Sequence, residues 1–294
     1  MRPVKILTDS CSDLMKDLRD QYDIDYAKMQ TVYEGKETWA DLDAFSPKEL
    51  YDTMRAGNRI LTTQVPPVEF ERIFTKYLEA GYDIVYIACA SKQSSSVFTG
   101  AKVAEELLPK YEGAQIFCVD ALNACIGEGM LAVRAAQYRD RGLSAAEVYE
   151  KVMADRNLVN EFVTVHSLTA LKRAGRVSAS KAFFGNLLGV KPILIADANG
   201  TQVPVAKAKG RQRSLETIVS MLKEKFTDPE EDVYLVHADC APEEVEAVRA
   251  MIEKEIPCRK IHVGYIGPII GASIGPEAIG VWGFGKEVTY KFEG

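Results

Sequence analysis

The sequence predicts an α/β fold of two closely packed units with mostly parallel sheets. Three observations predict it. Short, almost uninterrupted apolar runs mark strands buried on both faces, as in a parallel sheet. Amphipathic segments with helical spacing lie between those runs. Serines and glycines stand where the helices should start and stop.

The runs Val4–Leu7, Ile84–Ala90 and Gln115–Val119 are the first strands. Between the first two, Phe70, Ile73, Phe74, Tyr77 and Leu78 recur at the spacing of one helix face. Ser46-Pro47-Lys48-Glu49 and Ser144-Ala145-Ala146-Glu147 match the capping box, in which serine and glutamate satisfy each other's orphan amides. Gly57, Gly81, Gly142 and Gly189 fit helix ends. A helical stretch from about Gly127 to Val159 closes the first unit, residues 1–158. The second unit, residues 159–294, holds strands Phe162–His166, Pro192–Ala196 and Val233–His237. Helix Pro242–Ile256, strand Lys260–Tyr265 and a last strand near Val281 complete it. No proline- or serine-rich linker separates the units, so they are expected to pack together.

The 294 residues are 47% hydrophobic and 27% charged, a globular composition. A net charge of −6 argues against a nucleic-acid partner, which would need a basic face for phosphates. No apolar leader follows Met1, and the run Ile84 to Ala90 is far too short to span a bilayer, so a cytoplasmic location is expected. The six cysteines form no C-x-x-C pair and are expected as buried thiols. Among His166, His237 and His262 no two have ligand spacing, so no metal site is expected.

Open α/β sheets bind ligands at the carboxyl ends of their strands, so the residues after each strand carry the information. There is no G-x-x-x-x-G-K-S/T loop and no G-x-S-x-G elbow. Gly127 to Ala132 matches G-x-G-x-x-A, but the six residues Ala121 to Ile126 separate it from its strand, against dinucleotide binding. Strand Ile84–Ala90 instead runs into Ser91-Lys92-Gln93-Ser94-Ser95-Ser96 at a helix start. One serine would serve as a cap; four serines in six residues exceed that need and suggest an anion site. The polar turn Leu61-Thr62-Thr63-Gln64-Val65-Pro66-Pro67, taken alone, reads rather as a capped helix start with proline in the first turn than as a site. In Gly264 to Pro276, glycine every three or four residues suggests backbone running close to something.

Read in order, these segments resemble the DegV family over nearly the whole chain. Thr8-Asp9-Ser10-Cys11-Ser12-Asp13-Leu14 looks like its opening T-D-S-S/T-x-D-L, and Thr62-Thr63-Gln64 like its T-S-Q turn. Ser91 to Ser96 is similar to S-x-L-S-G-T, and Val119-Asp120-Ala121 to V-D-S. Leu168 to Ser178, which contains Gly175-Arg176, resembles L-x-x-L-x-x-G-G-R-I-S, and Lys191-Pro192-Ile193-Leu194 follows like K-P-I-L. Lys207 to Arg211 resembles K-x-R-G, and Gly267 to Gly280 the closing G-P-x-x-G-x-H-x-G-P-G, with Ser273 where the family usually has histidine.

The resemblance implies a fatty acid held between two α/β domains by a carrier, not an enzyme, without catalytic residue or cofactor. It implies a partner fatty acid kinase, to which the carrier presents the carboxylate and from which it keeps the acyl-phosphate, in phospholipid metabolism. Carboxylate contacts would fall on Thr62 and Ser94, with Thr63 and Ser95 nearby and Arg176 and Ser273 close to the head group. A buried carboxylate needs such donors, while the tail supplies affinity at about 0.8 kcal/mol per buried CH₂. Phe183, Phe184, Leu187 and Leu188 would line the tunnel or form plain core. The segment Lys207, Lys209, Arg211 and Arg213 is either a solvated helix start or a docking face for the kinase. Serine in place of histidine leaves less charge for a phosphate, so weak coupling to the kinase is expected. The competing reading is an enzyme acting on a small anionic substrate at the same cleft.

Overall fold

The computed structural model describes residues 2–166, 169–178 and 189–293. The chain opens with β1 (Val4–Asp9), α1 (Lys16–Gln21), β2 (Ile24–Ala27), β3 (Gln30–Tyr33) and β4 (Lys36–Trp39). Then come α2 (Pro47–Arg55), β5 (Leu61–Thr63), α3 (Pro67–Glu79), β6 (Asp83–Ala88), α4 (Ser96–Leu107) and β7 (Ile116–Asp120). Helices α5 (Ile126–Asp140) and α6 (Ala145–Asp155) lead to β8 (Val159–Thr164), α7 (Thr169–Ala174), β9 (Val190–Ala196) and β10 (Gln202–Lys209). The chain closes with α8 (Arg211–Lys225), β11 (Val233–His237), α9 (Pro242–Glu255), β12 (Ile261–Tyr265), α10 (Pro268–Ile274) and β13 (Ile279–Phe284).

Strands β2-β1-β6-β7 make an all-parallel sheet. Every residue of β1 and β6 is buried, because α3 and α4 cover one face and α5 and α6 the other. The second sheet runs β10-β9-β8-β13-β11-β12, and a small sheet β4-β3-β5 leans over the end of the first.

The expectation of mostly parallel sheets holds for the four-stranded sheet. In the six-stranded sheet only β11 and β12 pair in parallel; its other pairings are antiparallel. The reasons are local. Asp197 Oδ1 accepts from the amides of Asn199 and Thr201 at 2.9 and 2.8 Å, and Gly200 takes φ +79°, so β9 and β10 close as a hairpin. The last strand, β13, then inserts between β8 and β11 against the direction of both.

The expected helical stretch from Gly127 to Val159 is two helices and a short 3₁₀ turn. Gly142, at φ +88°, ends α5, and Ser144 restarts the chain with a complete capping box on Glu147. The G-x-G in α5 is a packing device. A Cβ at Gly127 would lie 1.9 Å from Asn123 Oδ1 and 3.1 Å from Trp282. Helix α5 thus sits directly on β13 of the second sheet.

Three polar ties hold the early helices to the later elements. Tyr51 donates to the Ile266 carbonyl at 2.7 Å, Arg55 pairs with Asp239 at 2.7 Å, and Arg134 with Glu231 at 2.6 Å. The basic segment is more structural than the sequence suggests. Arg211 reaches both Glu244 oxygens at 2.6 Å and the Glu277 carbonyl at 2.8 Å, and Arg213 lies 3.2 Å from Glu216. Lys207 and Lys209 ride on β10 and not on a helix start.

Candidate functional site

The loops at the carboxyl ends of β1 and β6 meet β5, α10 and the face of the six-stranded sheet around one cavity of about 460 Å³. Thr62, Thr63, Ser94, Ser95, Arg176 and Ser273 all line it. The structure thus gathers the six side chains named from the sequence, which come from four separate segments.

Thr62 and Thr63 lie on an edge strand, β5, where the sequence suggested a turn. Thr63 Oγ1 is engaged, 3.1 Å from the Gln64 carbonyl and 3.3 Å from Gln30 Oε1. Ser94 Oγ lies 2.9 Å from Ser96 Oγ and accepts from the Ser96 amide at 3.3 Å. Ser96, fully buried, accepts in turn from the Val65 amide at 3.2 Å, and Gln64 Nε2 donates to Thr99 at 3.0 Å. These bonds lace the Thr62 strand to the serine loop, so the two hydroxyl segments move as one wall.

The hydroxyls of Thr62 and Ser95 have no hydrogen-bond partner among the described residues. Ser95 is the N-cap of α4, yet its side chain makes no capping bond. Two donors therefore stand uncommitted beside the positive end of a twelve-residue helix. Arg176 lies across this loop, its Nε 3.5 Å from the Gln93 carbonyl, and Lys92 also lines the cavity. Ser273 Oγ bonds back to the Ile269 carbonyl at 3.4 Å. The side-chain partner of Ser94 is another serine. The hydroxyls, the helix N-terminus and Arg176 together suit binding an anion.

Behind this wall the Thr8 to Leu14 segment is structural. Asp9 accepts from the Cys11 amide at 2.9 Å and from Tyr86 at 2.6 Å, joining the ends of β1 and β6. Burial pushes its carboxyl up to about 6, against the hydrogen bonds from Tyr86 and the two cysteine amides. Asp13, buried and bonded by Cys125 at 2.9 Å, is pushed by burial to about 7. Glu128 accepts from Thr8 at 2.6 Å and is raised by burial and then by the charge of Asp9.

The rest of the wall is softer. Cys11, Met29, Cys89, Leu171, Val163, Leu194, Ile266, Ile269, Ile270 and Ile274 line it. The glycine-rich stretch is explained here: a Cβ at Gly271 would lie 2.4 Å from the Tyr51 hydroxyl, so only glycine lets α10 press its isoleucines inward. Phe183, Phe184, Leu187 and Leu188 lie outside the described residues. All six cysteines are free; four are buried, while Cys118 and Cys258 are half-buried. Cys11, Cys89 and Glu128 bring potential ligand atoms within 4.8 Å of one another, from segments too distant for sequence spacing to reveal. Burial drives the Cys11 thiol well up. Cys89, pulled down by its bond to Cys11, is still pushed to about 11 by burial, so both sulfurs favour the thiol. Sequence reading also missed Glu161, Gln202 and Trp282, whose inward direction depends on strand register.

Among the described residues no helix is long and apolar enough to cross a membrane. The chain matches a family model described as "Uncharacterised protein, DegV family" from residue 3 to residue 285. It is 35% identical over 287 residues to a DegV domain-containing protein of Clostridium perfringens, covering 97% of this chain and 98% of that one. Among solved structures, a DegV family protein from Thermus thermophilus, described for its fatty acid binding, is similar with a TM-score of 0.86 at 25% identity. That similarity covers 97% of this chain and 100% of the other. DegV of Bacillus subtilis, a fatty acid binding protein, gives a TM-score of 0.84 at 23% identity over 97% and 100%, a likeness of fold. A family model matched from end to end, a relative sharing a third of its residues and solved structures with the same fold agree: the chain belongs to the DegV family.

Proposed function

We propose that this protein binds a long-chain fatty acid and presents its carboxylate to a partner fatty acid kinase, then holds the acyl-phosphate. Residues 1–158 supply the head-group loops and residues 159–294 the acyl-chain tunnel. The observation that carries the reading is the convergence of Thr62, Ser94, Ser95 and Arg176 on one cavity whose wall elsewhere includes Val163, Leu171, Leu194 and the isoleucines of α10. A carboxylate takes hydrogen bonds where those donors converge, and its chain leaves water along the rest. The solved DegV family relative described for fatty acid binding supports the same ligand class.

The kinase half rests on a second recess of about 180 Å³ that shares Thr62, Arg176 and Ser273 with the first cavity. Arg59 and Arg173 also line it, and Arg59 donates to the Arg173 carbonyl at 3.0 Å. Converting the carboxylate to an acyl-phosphate takes the head group from one negative charge to about two and adds phosphoryl oxygens. Three arginines answer that charge where the family's histidine is Ser273. The docking role considered for Lys207 to Arg213 is narrowed, since Arg211 is held by Glu244 and Glu277.

With fatty-acid-loaded protein, ATP and a cognate kinase, acyl-phosphate should form. Arg173→Ala should slow it about tenfold, the effect of one lost charged hydrogen bond, while fatty acid affinity stays as in the wild type. Ser273→His should raise the rate. Equal rates in all three proteins contradict the recess as the phosphoryl site, and no acyl-phosphate from any of them contradicts the carrier role.

A further inference from the structure

Glu161 lines the same cavity on the face of the six-stranded sheet. In register it sits opposite Trp282, and Val163, two residues along, sits beside Leu194. Side chains two apart on a strand share a face, so the carboxyl stands beside Val163, Leu194 and Trp282, with Gln202 as its polar neighbour. Gln202 Nε2 donates to Glu161 Oε1 at 2.7 Å and Trp282 Nε1 to Oε2 at 3.2 Å. Among the described residues no cation pairs with it. These two donors, with the Ala196 backbone amide as a third, hold it rigidly, and its two oxygens still keep acceptor capacity for one more donor.

A buried acid is the wrong partner for a carboxylate. On the fatty-acid reading, which this inference rests on, the head group is driven to the hydroxyl and arginine end. The acyl chain is then what meets Glu161. A plain methylene run laid there removes water from the carboxyl and returns no hydrogen bond. A hydroxyl returns one in either protonation state, donating to the carboxylate or accepting from the acid. Burial pushes Glu161 up to about 7, so both states are populated near neutrality.

We propose that Glu161, fixed by Gln202 and Trp282, makes this cavity selective for hydroxylated fatty acids, with the hydroxyl partway along the chain. The test titrates delipidated protein with octadecanoic acid and with a positional series of hydroxyoctadecanoic acids. Wild type, Glu161→Gln and Glu161→Leu are compared, each checked for cooperative melting. At least one isomer should bind wild type about tenfold more tightly than the unsubstituted acid, the gain from one hydrogen bond to a charged group. Glu161→Gln, whose amide still pairs with a hydroxyl, should keep part of that preference. Glu161→Leu should lose it and bind octadecanoic acid at least as well as wild type. Tight binding of octadecanoic acid with no isomer preferred, or a preference that survives in Glu161→Leu, overturns the proposal and leaves the fatty-acid reading standing. Failure of both ligand classes to bind wild type overturns both.

Discussion

Thr62→Val combined with Ser94→Ala should cost the protein most of its affinity for a long-chain fatty acid. Each substitution leaves one oxygen of a charged head group short of a donor, worth about 1–3 kcal/mol, or roughly ten- to a hundredfold. Both act on the same carboxylate, so the double variant should lose less than the two single losses added together. The structure separates ligand effects from folding effects. Thr62 Oγ1 bonds no described residue, so Thr62→Val is nearly isosteric and should leave the melting temperature unchanged. Ser94 also holds the Ser96 amide and hydroxyl, so Ser94→Ala should lower stability by about 1 kcal/mol, as loss of a helix cap does. Calorimetric titration of delipidated variants, with melts run in parallel, measures both. Additive losses of a few tenths of a kcal/mol place the head group elsewhere.

The second large effect is on stability against pH. Asp13, Asp9 and Glu161 are raised by burial to about 7, about 6 and about 7, and Glu128 is raised further by Asp9. Each folded value lies above its unfolded one, so the folded chain binds these protons more tightly. Their contribution is complete below about pH 4 and is lost as pH rises through 6 to 7. Opposing groups act at lower pH. Asp41, held by Lys28, and Asp232, held against burial by His262 and Arg259, sit near 2 and lose their contribution only as pH falls below about 4. His166 and His237, lowered by burial, oppose the acids as pH falls below about 6.5. The protein should therefore be more stable near pH 5 than at pH 8, by a few kcal/mol for the set. Asp13→Asn should flatten the profile. Chemical denaturation across this range measures it, and a stability that climbs steadily from pH 5 to pH 8 contradicts the buried-acid assignment.

Legibility followed how directly burial writes itself into sequence. Strands β1 and β6 are buried on both faces, so their apolar runs were visible without a partner sheet. Strand β11 lies exactly where its apolar run stands, at Val233–His237. Strand β4 was invisible because Lys36–Trp39 is exposed at every position and carries no alternation. Strand β10 reads as a basic segment because it is an edge strand bearing lysines. The serine cluster around Ser94 is legible as excess hydroxyls after an apolar run, whereas Thr62 reads alone as a helix start and enters only through the family resemblance. Glu161 and Gln202 are not legible, because a polar residue inside a strand looks alike whether it faces solvent or a cavity. Cys11 and Cys89 lie 3.2 Å apart but 78 residues apart in sequence, and spacing rules see only the second distance.

The central claim is that the cavity between Thr62, Ser94, Arg176 and the apolar wall holds a long-chain fatty acid. Native mass spectrometry of the protein as purified, followed by extraction into organic solvent and identification of the released lipid, tests it most directly. The expected spectrum shows a population heavier by one long-chain fatty acid, lost on extraction and restored when the acid is added back. That population should be depleted in the Thr62→Val, Ser94→Ala double variant. A spectrum with no bound lipid, and no uptake of added fatty acid by a fully folded protein, contradicts the claim.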